Sequence, residues 1–345
     1  MLALATDNAL ARLQQQHGQG LTLAHLIDAG IDQLPLPGAG GTLARWQVLA
    51  EVAAHDLSLV KLFEGHTDAL AILRELGAPA PEAGSRWGTW CAEPPDARLA
   101  MDAVDALAED RLPHAPRVPP VCLTGTKAWC SGAATVTHAI VSCWNAEGKP
   151  CLAAVAIAAP GVTVTGDGWH AVGMAASGSV DVRFDHVDAA QVGSPDDYVN
   201  RPGFWQGGAG IAACWFGGAL GIARMARQSS GHASDAHRLA HLGAIDVALA
   251  ASAAVLRETA AWIDAHPKED ARTLALRARL VVEQACSEVM HHAGRAAGAG
   301  PLCRNPRFAR AMADLPVFLR QSHAERDLAA LGRQILDGGA PPWML

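Results

Sequence analysis

The stretch FWQGGAGIAACWFGGALGIARMA, residues 204–226, carries no charged side chain until Arg224. A helix of this composition has no polar face to offer water, so it must be covered on every side by lipid or by other helices. Its length is about that of a bilayer span. Six glycines between 207 and 221 make it a poor isolated helix, no basic cluster flanks it on one side, and polar helical sequence follows. The expectation is therefore a central helix buried in a bundle, with no membrane span. The helical period returns in four long stretches, 204–229, 235–265, 271–297 and 308–336, punctuated by SSGHAS, HPKED and GAGPLCRNP. Antiparallel packing as a four-helix bundle over 200–338 is the economical solution, and its many Ala and Gly residues permit close approach.

The rest of the chain has two other textures. Residues 1–84 read as helices broken by Gly and Pro, with Thr42 as a candidate cap for LARWQVLAEVAAHD and Asp56 starting the next helix. Across 85–195 the period shortens: VCLTGTKAWC, TVTHAIVSCW, CLAAVAIAA, GVTVTG and GSVDVRFDHV are short, β-branched and separated by turn residues. In the last of these Val180, Val182, Phe184 and Val187 face one way for most of its length. The predicted fold class is α+β: a helical N-terminal domain, a small antiparallel β middle domain forming a sandwich or barrel, and a C-terminal four-helix bundle.

A net charge of −7 without a basic run argues against nucleic acid as the main partner. The N-terminus turns polar too early for a signal peptide, and eight cysteines without a CxxC pair fit reduced thiols, so a cytoplasmic location is expected. Ten Trp against one Tyr suit ordinary core sites better than a stacking surface. His237 and His241 stand four apart on a helix, but no third ligand is evident, so no metal is assigned. There is no GxSxG, Walker loop or helix-opening GxGxxG.

Three stretches carry chemistry. In LTGTKAWCSGA (123–133), Thr124-Gly125-Thr126 is predicted to turn, after which Trp129 and Ser131 project to one side: an indole plane beside a hydroxyl suits a planar heterocycle, and equally a hairpin with a core Trp. WGTWCAEPP (87–95) ends a strand in Glu-Pro-Pro, which releases its backbone from pairing. Within 304–333, a helix–turn–helix would point Asp314, Ser322, His323, Glu325 and Arg326 at whatever the β unit holds, unless they form a plain charged helix face.

The order of the three domains, with WCAEP at 90–94, LTGTKAWCSGA and GMAASGSVDVRFDHVDA at 173–189, resembles the acyl-CoA dehydrogenase superfamily over most of the chain. The resemblance implies an FAD-dependent oxidoreductase that dehydrogenates an acyl thioester or related substrate. It places Trp90, Cys91 and Ala92 at the flavin pyrimidine edge, and Trp129, Cys130 and Ser131 beside the ring, with the Ser131 hydroxyl near N5. A homodimer or homotetramer and a small-molecule substrate, such as an acyl-CoA, are implied as well.

The departures are specific. PDAR (95–98) follows where the family has a Gly-Ala-Gly-Ser run, RQSSGHASDAH replaces the element that holds the FAD pyrophosphate, and GRAAGAGPL matches the later Gly-Gly segment loosely. The family's catalytic Glu falls at Ser322 or His323 by one count and near Ile211 by the other. His323 and Glu325 are the candidate bases. Three readings stay open: a dehydrogenase, a flavin-dependent monooxygenase of the same fold, and a non-catalytic relative.

Overall fold

The computed structural model describes residues 2–104, 119–231, 235–338 and 343. Helices α1 (Leu2–His17), α2 (Leu23–Asp28), α3 (Thr42–His55) and α4 (Leu57–Glu75) come first. Asp56 caps α4 as expected, its carboxylate accepting the Leu59 N–H at 2.7 Å. Thr42 does not cap α3. Gly41 holds that place, and the Thr42 hydroxyl donates instead to Asp264 of the bundle at 2.6 Å, exchanging a local bond for one that ties two domains.

The middle unit has β1 (Trp87–Trp90), β2 (Leu99–Ala103), β3 (Pro120–Cys130), β4 (His138–Trp144), β5 (Pro150–Ala156), β6 (Val162–Val164) and β7 (Val180–Val192). Pairings β4–β2, β2–β3, β3–β7, β7–β5 and β5–β4 run in a closed ring, a small barrel. Most are antiparallel; β1 and β2 lie parallel to β4. Leu123, Val141, Ala153, Val182 and Val187 are fully buried in its core.

Two irregularities in β3 correct the expected turn. Thr124-Gly125-Thr126 lies inside the strand. Leu123 faces Val187 and Gly125 faces Phe184, so β7 carries one extra residue, absorbed at His186 with φ 52°. That bulge explains how Phe184 and Val187, of opposite parity, both reach the core. Gly125 has φ 129°, and a Cβ there would come within 2.8 Å of the Arg98 carbonyl, so glycine is required by close backbone approach. Further on, Lys127 faces Val182 and Cys130 faces Val180. Here the extra residue is on β3.

The short α5 (Asp197–Asn200) leads into α6 (Gly203–Ser230), α7 (Ala236–Ala265), α8 (Arg272–Ala297), α9 (Ala299–Arg304), α10 (Pro306–Phe318) and α11 (Glu325–Asp337). Both α6 and α7 are long and apolar enough to cross a membrane, but α6 is mostly buried. It lies against α3, where a Cβ on Gly217 would strike the Ala50 carbonyl and one on Gly221 would meet that of Ala54 at 2.6 Å. The outer face of α7 is exposed, Val247 to 70%. The stretch 308–336 is not one helix but the helix–turn–helix expected within 304–333: a 3₁₀ turn over Leu319–Gln321, extended Ser322 and Ala324 at φ 44° separate α10 from α11.

Gly217→Leu should therefore force α6 off α3 and cost roughly 3 kcal/mol or more, read as a lower urea midpoint. The same change at Gly243, where a Cβ meets open space, should be far milder.

Candidate active site

The second bulge on β3 sets the site. Trp129 sits at φ 58°, an uncommon conformation for a bulky residue, and its indole is 51% exposed while Cys130 turns into the barrel. The indole is thereby aimed into a cavity of about 670 Å³, a size typical of small-molecule sites. The cavity opens where α4, the exits of β1 and β3, the start of α6 and the α10–α11 bend converge.

One wall is a platform. Trp129, Ser131 and Trp169 line it, and a chain of hydroxyls runs behind: Ser131 Oγ to Ser179 Oγ at 2.8 Å, Ser179 to Ser177 at 2.8 Å, and Ser177 donating to the Met174 carbonyl at 2.8 Å. Trp169 Nε1 donates to the same carbonyl at 3.1 Å. This loop is pinned to the bundle: the Met174 N–H donates to Asp314 Oδ1 at 2.5 Å, and a Cβ on Gly173 would strike the Ala313 carbonyl. Burial raises the Asp314 pKa against the opposing Met174 N–H.

Beside the platform, β1 ends at Trp90, and Cys91 and Ala92 run on past the ladder along the cavity. Trp90 Nε1 donates to the Ser131 carbonyl at 3.1 Å, joining the two exits. The next residue, Glu93, is anchored from inside the barrel. Fully buried Lys127 places Nζ 3.6 Å from Glu93 Oε1 and donates to Ser142 Oγ at 2.6 Å and its carbonyl at 3.0 Å; Trp144 Nε1 donates to Glu93 Oε2 at 3.0 Å. Burial lowers the Lys127 pKa, with Cys91 and Glu93 opposing. Burial also pushes the Cys91 thiol up to about 11, so it stays protonated and unreactive near neutrality.

The bend supplies the opposite rim. His323 Nδ1 lies 3.5 Å from Asp327 Oδ1, and the His323 N–H donates to Asp327 Oδ2 at 3.2 Å. Arg279 of α8 holds the bend, donating to the Gly208 carbonyl of α6 at 3.1 Å and the Gln321 carbonyl at 3.0 Å. The α6 wall carries no titratable group, with Phe204, Trp205, Gly207, Gly208 and Ile211.

No family model matches the sequence, and neither does any curated protein. Solved structures do. The dibenzothiophene monooxygenase TdsC from Paenibacillus sp. A11-2, solved with FMN and indole, matches at a TM-score of 0.78 and 18% identity, over 97% of this chain and 96% of that one. Methanesulfinate monooxygenase MsuC from Pseudomonas fluorescens matches at 0.75 and 23%, over 98% and 96%. A nitrososynthase from Micromonospora carbonacea var. africana matches at 0.73 and 18%, over 98% and 95%. The chain has the acyl-CoA dehydrogenase-like fold.

Within this acyl-CoA dehydrogenase-like fold, Trp90, Cys91, Ala92, Trp129, Ser131 and His323 all line the one cavity. Cys130 does not: it is fully buried, its thiol donating to the Lys127 carbonyl at 3.2 Å. Nor does Glu325, which opens α11 on the exposed side of the bend; Asp327, two residues on, takes the inward position. The sequence reading missed Glu64 and Asp68 of α4, together with Tyr198 and Arg201, which line the same cavity. On paper they belong to polar helix faces, and only the packing of α4 against the β1 exit reveals where they point. His241 meets His292 instead of His237, Nδ1 to Nδ1 at 2.9 Å, and among the described residues no group of three or more His, Cys, Asp or Glu could hold a metal.

Asp314→Asn tests the pinned loop through pH. A carboxyl with a raised folded-state pKa holds its proton longer when folded, so its contribution to stability falls as pH rises from the ordinary carboxylate value to the raised one. Wild type should lose stability relative to Asp314→Asn across that acid window and run parallel above it. Parallel curves throughout would remove Asp314 as the titrating group.

Proposed function

We propose that the chain is a flavin-dependent oxidoreductase acting on a small molecule, as a monooxygenase supplied with reduced flavin by a separate reductase. The observation that carries this is the bulged, outward-aimed Trp129 beside Ser131, forming a flat wall with a hydroxyl in a cavity large enough for a tricyclic ring. The residues fit the group: Trp129 and Trp169 offer faces for stacking, and the Ser131 hydroxyl, held by Ser179, would meet the ring's central nitrogen. The backbone of Cys91 and Ala92, steadied by Glu93 and Lys127, would border the pyrimidine edge. A bound reduced flavin would supply the two electrons that activate dioxygen.

The monooxygenase reading is favoured over dehydrogenation by the α6 wall, which offers Ile211 and no carboxylate to the cavity, and by His323 at the bend. His323, held by Asp327, would hold or move a proton at its exposed ring nitrogen. The resemblance to structures solved with FMN supports a flavin, and FAD remains the finer alternative because both share the ring. One observation keeps the dehydrogenase reading alive: burial raises the Glu64 pKa, against Lys61 at 3.5 Å, so a carboxyl with base character does face the cavity from α4. A homo-oligomer would cover the exposed outer face of α7.

Titration with FMN and FAD, followed by anaerobic addition of octanoyl-CoA, tests these readings. Flavin should bind, resist bleaching by the thioester, and support oxygen uptake when reduced. Bleaching would transfer the function to the dehydrogenase reading, and a protein that takes up neither flavin would defeat both. Trp129→Ala should weaken flavin binding at least tenfold, while Trp262→Ala on α7 leaves it unchanged. His323→Ala should retain flavin but lose turnover; full turnover would remove it as the proton carrier.

A further inference from the structure

Opposite polarities meet on the α4–α5 side of the cavity. Lys61, Glu64 and Asp68 present one face of α4, and Tyr198, Arg201 and Phe204 face the same space. Lys61 and Glu64 are within 3.5 Å of each other, and Arg201 Nη1 donates to Glu75 at 2.6 Å. Two groups are left over. The Asp68 carboxylate receives no hydrogen bond among the described residues, and Gly207 gives it room, since a Cβ there would come within 3.2 Å of Oδ1. Arg201 is 7% exposed, and its buried Nε has no partner. The two are neighbours. Burial opposes the Arg201 charge, yet Asp68 is the largest influence raising its pKa, ahead of Glu75.

An apolar chain in this corner would strip water from the Asp68 carboxylate and leave the buried Arg201 Nε unsatisfied, both unfavourable. With Lys61 against Glu64 and Arg201 Nη1 against Glu75, the Asp68 carboxylate has Arg201 and Arg45 as charged neighbours but no hydrogen-bond donor among the described residues, so an N–H donor is what it lacks. A ligand that satisfies both groups carries a cationic N–H donor next to an acceptor, and Tyr198 and Phe204, packed edge to face at 5.2 Å, can flank its cation.

We propose that this corner is the substrate's specificity site, and that it takes a small polar substrate bearing a basic amine beside a carbonyl or carboxylate, with Asp68 binding the amine and the Arg201 guanidinium the acceptor. Acyl thioesters with an alkyl tail are excluded by the same groups. The inference rests on the flavin-enzyme reading only in treating the cavity as a substrate site.

The test is calorimetric binding, with and without FMN, of three probes of one shape: L-phenylalaninamide, 2-phenylethylamine and 3-phenylpropanamide. Phenylalaninamide should bind most tightly, at least tenfold better than 3-phenylpropanamide, and octanoyl-CoA should bind worse than either amine. Asp68→Asn should erase the preference for the amine and leave 3-phenylpropanamide unchanged; Asp68→Glu, which keeps the charge, should restore part of it. No binding of phenylalaninamide, equal affinity for the amine-free probe, or an unchanged preference in Asp68→Asn would overturn the assignment. Amine preference in a protein that takes up no flavin would support this corner while defeating the flavin reading. Flavin binding without amine preference would do the reverse.

Discussion

The contact on which the rest depends is the backbone-to-backbone approach of α6 and α3. An uncharged helix must be covered all round, and side chains alone would hold its neighbours too far away. Gly217 and Gly221 remove that spacing, so the carbonyls of Ala50 and Ala54 fill the space a Cβ would take. With α6 fixed against the N-terminal helices, its first turns carry Phe204, Gly207 and Gly208 to the mouth of the barrel. The cavity is what remains between them. Its other borders are locked by equally short contacts, Gly173 against Ala313 and Met174 against Asp314.

The change of hydrophobic period along the chain was enough to lay out helices, barrel and bundle, because each period reports burial one element at a time. Bulges are different in kind. Whether Trp129 faces core or cavity depends on the register of β3 against β7, a relation between residues about 50 apart that no local pattern contains. Regular alternation from buried Lys127 would turn Trp129 inward and Cys130 outward; the extra residue, taken up at Trp129 with its positive φ, reverses this and hides Cys130 instead. Thr124-Gly125-Thr126 reads as a turn for the same reason: glycine marks an unusual backbone without saying whether the strand ends or only bulges.

The polar half of the cavity was invisible for another reason. Glu64 and Asp68 sit among Lys61 and Leu62 in what looks like an ordinary amphipathic helix. Their role comes from the packing of α4 beneath β1, sealed by the Thr89 hydroxyl donating to the Gly65 carbonyl at 2.7 Å. The platform thus comes from the strand ends and the charge from the N-terminal helices. From α6 the cavity receives Ile211 and no carboxylate, while the carboxylates that face it lie on α4 and, through Asp327, on α11.

The central claim is that Trp129, pushed outward by its bulge, forms the wall against which a flavin lies. A crystal structure of the protein grown with FMN measures this directly. The account expects the ring within van der Waals contact of the Trp129 indole, its central nitrogen within hydrogen-bond reach of Ser131 Oγ. A ring bound elsewhere, or a Trp129 that rejoins regular strand geometry and turns from the cavity, would contradict it.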